Sequence, residues 1–468
     1  MSADGGRLIV VSNRLGDPTK PAKGGLAVAM NSALNEIGGV WMGFSGDITD
    51  AADGEGKLHM REEGKVAVAG VDMNQSEYDG YYSGFANSVL WPAFHHRMDL
   101  IDPQPEYFSA YRRVNRMFAQ RLGQIVKPND VIWVQDYHLI PLGMELRAMG
   151  LKNRIGFFLH IPLPPSQMMQ AVPDHGLLMR SLFYYDLVGL HTRADVRNFR
   201  LYAERVMGVA EADCAGDTVT AFGRSVRVQA HPIGVDVDEF RELLGTEDSQ
   251  ELVSRIGGTT VGRRLVTGVD RLDYSKGLPE RMKIFRRLLQ KYPENHKQTT
   301  LVQIASPTRE SVEAYAQIRD ELAMLSGSVN GEFGMIDWTP IRYIHRHTAR
   351  ERLAGLYSIS KVGLVTPLRD GMNLVAKEYV AVQPDDDPGV LVLSEFAGAA
   401  EEMTEALLVN PHDIETSADQ VQRALTMDIA ERKERHQALK KKVEDGDVIA
   451  WSRNFLRELR KPNLAIAA

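Results

Sequence analysis

Short, largely apolar runs recur along the chain at Leu8–Val11, Val131–Val134, Ile155–Leu159, Leu187–Leu190, Leu265–Val269, Leu301–Ile304, Val362–Val365 and Val390–Leu393, alternating with longer stretches of helical period. A run with no polar face suits a strand covered on both sides, and parallel strands need a crossover, usually a helix, between them. The pattern predicts an α/β chain of parallel sheets. One crossover helix marks its own start: Thr192 and Asp195 have the spacing of a capping box, and Val196, Phe199, Ala203 and Val206 then share a face.

A chain of 468 residues is long for one core and fits two domains. The segment His231-Pro-Ile-Gly-Val-Asp236 interrupts a strand with Pro and Gly, after which the βα alternation restarts. The predicted division is residues 1–237 and 238–450, followed by a helix over 451–468 that carries Trp451, Phe455 and Leu459 at helical spacing. Lys440–Lys442 reads as a solvated helix face, and Asp385–Asp387, set between Pro384 and Pro388, as a solvated turn.

The net charge of −7 gives no basic field for nucleic acid or an anionic membrane, so an anion has to be met by locally placed cations. Cys214 is the only cysteine, which excludes an internal disulfide framework and a thiolate metal cluster. No apolar stretch approaches the ~18 residues of a membrane span, and the expectation is a soluble cytoplasmic protein. No Gly-x-Gly-x-x-Gly follows a strand and no P-loop is present, which removes dinucleotide and P-loop chemistry. His95-His96 and His345-x-His347 lack a helical ligand spacing, and no metal site is predicted.

In open parallel sheets ligands collect beyond the carboxyl ends of the strands. Those positions carry Ser12-Asn13-Arg14, Gln135-Asp136-Tyr137-His138, His160-Ile161-Pro162, Asp270 to Gly277 and Thr366 to Asn373. Three of these or neighbouring loops lead into helices whose first turns could face an anion, at Lys23-Gly24-Gly25, at Gly277-Leu278-Pro279 and near Asn373. Arg271 and Lys276 flank the second start and together could offset a diphosphate without a metal; from position alone they are equally compatible with ordinary loop cations. Glu378 could accept hydrogen bonds from a ribose, or pair with Lys377 or a neighbour on a surface helix.

Five segments carry a resemblance: Arg271-Leu-Asp-Tyr-Ser-Lys-Gly-Leu-Pro-Glu-Arg281, Pro367-Leu-Arg-Asp-Gly-Met-Asn-Leu-Val-Ala-Lys-Glu-Tyr379, Leu90-Trp-Pro-Ala-Phe-His95, Asp136-Tyr-His-Leu139 and Phe157-Phe-Leu-His-Ile-Pro162. They closely resemble the trehalose 6-phosphate synthases, across nearly the whole chain. The resemblance implies a GT-B fold, two Rossmann-like domains facing across a cleft. It also implies transfer of glucose from UDP-glucose to glucose 6-phosphate with retention, the departing diphosphate taking the acceptor's proton.

By the same resemblance the donor site comprises Gly24, Gly25, Arg271, Lys276 and the stretch from Asp370 through Asn373 to Glu378. Asp370 would bind the transferred glucose, Leu374 and Val375 offer main-chain groups near the diphosphate, Glu378 bind the ribose, and a backbone group near Thr348 meet the uracil. The acceptor would meet Arg14, Tyr82, Trp91, Asp136 and Arg309, of which Arg14, Arg309 and the Tyr82 hydroxyl could grip a phosphate and Trp91 is either a pocket wall or core packing, with Trp41 a pocket neighbour and Phe44 in place of a second tryptophan. His160 would hydrogen-bond the transferred glucose near its 6-hydroxyl. Asp136 is alternatively a structural carboxylate held by loop N–H groups. The resemblance further implies a final helix that returns to the first domain as part of a hinge, and a homodimer or homotetramer. The competing readings are a transferase using glycerol 3-phosphate, a catalytically silent sugar-phosphate sensor, and a phosphorylase that would need a lysine-bound pyridoxal phosphate.

Overall fold

The computed structural model describes residues 6–15, 30, 34, 38–259, 262–308 and 313–462. The expected helix opening at Lys23-Gly24-Gly25 lies almost wholly outside them, although Met30 and Leu34 are helical and buried. The chain forms two compact units, one from the residues up to Ile233 together with the segment from Val448, the other from Gly234 to Asp447. The changeover falls within the Pro–Gly segment, and Val237 instead opens the helix Val237–Leu244, capped by the Asp236 side chain on Glu239 N–H.

The first unit is built on nine strands: β1 (Leu8–Arg14), β2 (Gly39–Ile48), β3 (Leu58–Glu63), β4 (Val66–Met73), β5 (Val131–Gln135), β6 (Arg154–Phe158), β7 (Leu187–Leu190), β8 (Thr218–Ala221) and β9 (Arg224–Ala230). Their order is β3-β4-β2-β1-β5-β6-β7-β9-β8. The interior pairs are parallel; β3 and β8 close the two edges antiparallel. β3 is exposed and carries Arg61, Glu62 and Glu63, charges that discourage pairing with another chain. The helix Val448–Arg460 packs on this sheet. Phe455 stacks on Trp133 at 4.7 Å, and Trp451 meets Phe158 edge-on at 5.0 Å. Room for it comes from Gly156 on β6 and Gly189 on β7, where an added Cβ would lie 2.8 Å from Leu459 and 2.7 Å from Phe455.

The second unit has six parallel strands: β10 (Arg264–Arg271), β11 (Thr299–Ser306), β12 (Ile341–Ile344), β13 (Val362–Val365), β14 (Val390–Ser394) and β15 (Leu407–Val409). Their order, β12-β11-β10-β13-β14-β15, is the 3-2-1-4-5-6 arrangement of a Rossmann sheet. In both units the first strand of the sheet neighbours two strands that lead the chain in opposite directions, β2 and β5 about β1, β11 and β13 about β10. Loops leaving the sheet there diverge and open a crevice.

The capping box at Thr192 and Asp195 forms, and Phe199 and Ala203 are buried, whereas Val196 and Val206 are only partly so. Asp385 and Asp387 are exposed but paired, with Lys440 at 2.7 Å and Arg432 at 2.6 Å, and Lys442 meets Glu405 at 2.7 Å. The lysine run and the acidic turn therefore include ion pairs rather than only solvated charges.

Candidate active site

In the second unit β10 ends on Asp270 and Arg271, with Arg271 exposed at the strand's tip. Asp273 then accepts a hydrogen bond from Ser275 N–H and caps the short turn Tyr274–Lys276. Gly277, in the left-handed region at φ 59°, passes the chain into the helix Leu278–Lys291, whose Met282, Phe285 and Leu289 enter the core. The loop after β13 is tied to this turn by Leu368 N–H on the Ser275 carbonyl at 2.8 Å. Lys276 Nζ thereby reaches Asp370 Oδ2 at 2.6 Å, and Asn373 Nδ2 donates to the same oxygen at 3.1 Å. Asn373, at φ 76°, caps the helix Leu374–Ala381 through Ala376 N–H, and Leu374 and Val375 occupy its first turn.

Glu378 lies farther along that helix. Lys377 is buried and pairs with Glu402 at 2.9 Å, so the surface pair between Lys377 and Glu378 is not formed. The Tyr357 hydroxyl stands 3.5 Å from Glu378 Oε2. Burial pushes the Glu378 carboxyl up to about 7, against the opposing pull of Arg350 and the Tyr357 hydrogen bond. The residue is half-buried. Thr348 stands apart from this cluster, half-buried on the loop between β12 and the helix Arg350–Ile359.

In the first unit β1 ends on the exposed Arg14, whose carbonyl accepts from Ser12 Oγ. Trp41 Nε1 donates to that same hydroxyl at 2.8 Å from a fully buried position. Phe44 is likewise buried, its ring 5.8 Å from Tyr78. Past β5, Asp136 adopts φ 75° and its Oδ1 accepts from His160 N–H at 3.1 Å, the loop tie that the structural alternative required. Tyr82 sits in a π-helical segment, Tyr78–Leu90, a geometry that often marks functional sites. Its ring stacks on His138 at 5.8 Å.

Trp91 follows directly and is 5% exposed, packed over His95 at 4.2 Å and Tyr137 at 5.8 Å. His160 Nε2 lies 2.9 Å from Gln135 Oε1. Burial, and secondarily His191, hold His160 well below the usual imidazole range, so it is neutral near pH 7 and suited to hydrogen bonding rather than to carrying charge.

Lys276, Asp370 and Asn373 meet in the second unit and Asp136 and His160 in the first, Thr348 lies on a separate loop, and Gly24, Gly25 and Arg309 lie outside the described residues. Gln135, Tyr357 and Arg281 were not singled out in the sequence. Arg281 left a signal, a charged residue inside the apolar stripe of its helix. Among the described residues no group of three or more His, Cys, Asp or Glu side chains is arranged to hold a metal ion. His95 and His345 are occupied with backbone carbonyls, of Trp91 and Ala305.

Two Rossmann-like domains, one with a Lys–Asp–Asn cluster at its strand-order reversal, are those of a GT-B glycosyltransferase. The model of glycosyltransferase family 20 matches residues 11–461, and the chain belongs to that family. A trehalose-6-phosphate synthase from Sinorhizobium fredii is 46% identical over 458 residues, 97% of this chain and 98% of its own. An α,α-trehalose-phosphate synthase (UDP-forming) from Burkholderia xenovorans, solved with glucose-6-phosphate, superposes with a TM-score of 0.92 at 46% identity, covering 97% of this chain and 100% of its own. An E. coli structure bound with UDP-2-fluoro glucose gives a TM-score of 0.92 at 40% identity, over 97% and 99% of the two chains.

Proposed function

We propose that the chain transfers glucose from UDP-glucose to glucose 6-phosphate, yielding α,α-trehalose 6-phosphate and UDP with retention and without a metal ion. The observation that carries this reading is the cluster of Lys276, Asp370 and Asn373 at the β10/β13 reversal, with Arg271 at the end of β10, together with relatives solved with glucose-6-phosphate and with a UDP-glucose analogue.

In this reading the bond from the anomeric carbon to the β-phosphate oxygen breaks and a bond to the 1-hydroxyl oxygen of glucose 6-phosphate forms on the same face. The hydroxyl proton passes to the departing diphosphate. Arg271 and Lys276 stabilise the negative charge that grows on the β-phosphate, and act most strongly as the bond breaks. Lys276 rests against Asp370, so its charge is already partly balanced and its position fixed before substrate arrives. Asp370 and the neutral His160 hydrogen-bond the transferred glucose, the first turn of Leu374 and Val375 offers N–H groups to the diphosphate, Glu378 takes the ribose and the Thr348 loop the base. Gly24 and Gly25 complete the donor side. Arg14, Tyr82 and Arg309 hold the acceptor phosphate, with Asp136 and Trp91 beside its sugar. Among the described residues no helix is long and apolar enough to cross a membrane; a cytoplasmic homodimer or homotetramer completes the proposal, with light scattering as its check.

The test is UDP release in metal-free buffer with glucose 6-phosphate, glycerol 3-phosphate or free glucose as acceptor. Turnover with glucose 6-phosphate alone is expected. Turnover only with glycerol 3-phosphate overturns the acceptor assignment, and none with any acceptor favours a silent sensor.

A further inference from the structure

Beneath the proposed diphosphate site stands an arginine with no exposed side-chain surface. Arg281 belongs to the buried face of the helix Leu278–Lys291, and three strands or strand ends meet its guanidinium. Nη2 donates to Asp270 Oδ2 at 2.7 Å, Nε to Thr366 Oγ1 at 3.0 Å and Nη1 to Gln303 Oε1 at 3.1 Å. These acceptors lie on β10, just past β13 and on β11. Gly268 on β10 makes the passage, since a Cβ there would fall 2.5 Å from Arg281 Cδ. Thr366 Oγ1 also lies 3.4 Å from the carbonyl of Gly277, the residue that opens the helix.

Burying an ion pair is a poor way to gain stability, because desolvation cancels most of the attraction and an apolar side chain of similar volume does as well or better. What a guanidinium offers instead is a rigid planar fork that fixes several acceptors at once. Asp270 is the residue before Arg271, and Thr366 begins the loop that carries Asp370. We propose that Arg281 is a positioning residue for the donor diphosphate, locking the ends of β10 and β13 so that Arg271, Lys276 and Asp370 are held at fixed spacing. This rests on the diphosphate reading given above. The charges alternate in a way that supports it. Asp270 is raised by burial and by Asp370, and drawn down by Arg281 and Lys276. Arg281 thus supplies the counter-charge that keeps Asp270 from competing with a phosphate for Lys276.

Titration calorimetry with UDP and with uridine, which lacks the diphosphate, separates this role from a general one. Arg281→Met is expected to weaken UDP binding ~10-fold or more, a loss of ~1.4 kcal/mol, while uridine binding stays within about twofold. Arg281→Lys should recover only part of the UDP affinity. Asp270→Asn/Arg281→Met, which removes both buried charges, should regain thermal stability but not UDP affinity, and Thr366→Val, a milder change that keeps the fold, should give a smaller loss confined to UDP. Equal weakening of UDP and uridine, or full recovery of UDP affinity in the double variant, overturns the proposal. If the parent protein binds UDP no better than uridine, or Arg271→Ala binds UDP as the parent does, it is the diphosphate reading that fails.

Discussion

Glu378→Gln is expected to stabilise the protein in a pH-dependent way while impairing donor binding. In the folded protein this carboxyl is raised from an ordinary 4.5 to about 7, chiefly by burial. Below 4.5 both the folded and unfolded chains hold the proton and the group contributes nothing to stability. Between 4.5 and 7 the unfolded chain releases its proton first, so stability falls as pH rises, and above 7 the full penalty is reached. At ~1.4 kcal/mol per pH unit of displacement, the penalty is under ~1 kcal/mol at pH 5 and ~3 kcal/mol at pH 8.

Gln has no such titration, and its own packing differences do not vary with pH. The stability of Glu378→Gln relative to the parent should therefore improve by roughly 2 to 3 kcal/mol between pH 5 and pH 8, or some 5 to 10 °C in the melting midpoint of a unit of this size. Differential scanning calorimetry of both proteins at the two pH values measures it. A parent-to-variant difference that is the same at pH 5 and pH 8 refutes the argument that this carboxyl is held out of water. At pH 8 the stabilised variant should nevertheless bind UDP more weakly, because an ionised carboxylate is the stronger ribose acceptor.

Arg271→Ala and Lys276→Ala should each lower kcat on the order of 10²-fold or more, as expected for a lost oxyanion donor, and an unchanged kcat in a UDP-release assay rules out the leaving-group role. His160→Asn should leave the shape of the kcat profile between pH 6 and pH 8 as it is in the parent, since burial keeps His160 uncharged there; disappearance of a limb in that range would show that it titrates. Phe455→Ala should destabilise the first unit by about 3 to 5 kcal/mol, because Trp133, Gly156 and Gly189 close around that ring, and a calorimetric shift confined to the second unit's transition would contradict this packing.

The strands legible in the sequence are those with aliphatic runs covered on both faces. β9 was not, because Arg224, Arg227 and Gln229 alternate with its two valines. The loops at the strand ends were also legible, because polar residues crowd immediately after apolar ones. What the sequence conceals is pairing across distance. Lys276 and Asp370 are 94 positions apart, and only the neighbouring of β10 with β13 brings them together. Trp41 shows the converse: a large aromatic picked out by the resemblance, and fully buried with its N–H turned to Ser12. Gln135 meets His160 from the end of a strand and Arg281 meets Asp270 from inside a helix; both lie within segments quoted from the sequence, yet nothing there gave either a role.

The position of Val448–Arg460 bears on how the protein is made. Its Trp451, Phe455 and Leu459 complete the core of a sheet whose strands were translated before Ile233, whereas the second unit is one uninterrupted stretch. On the ribosome the second unit can close as soon as it emerges. The sheet of the first waits with the groove over Gly156 and Gly189 open to solvent, through the synthesis of everything between. Nascent chains stalled before Trp451 should therefore engage chaperones through that groove, and release should coincide with arrival of the last helix.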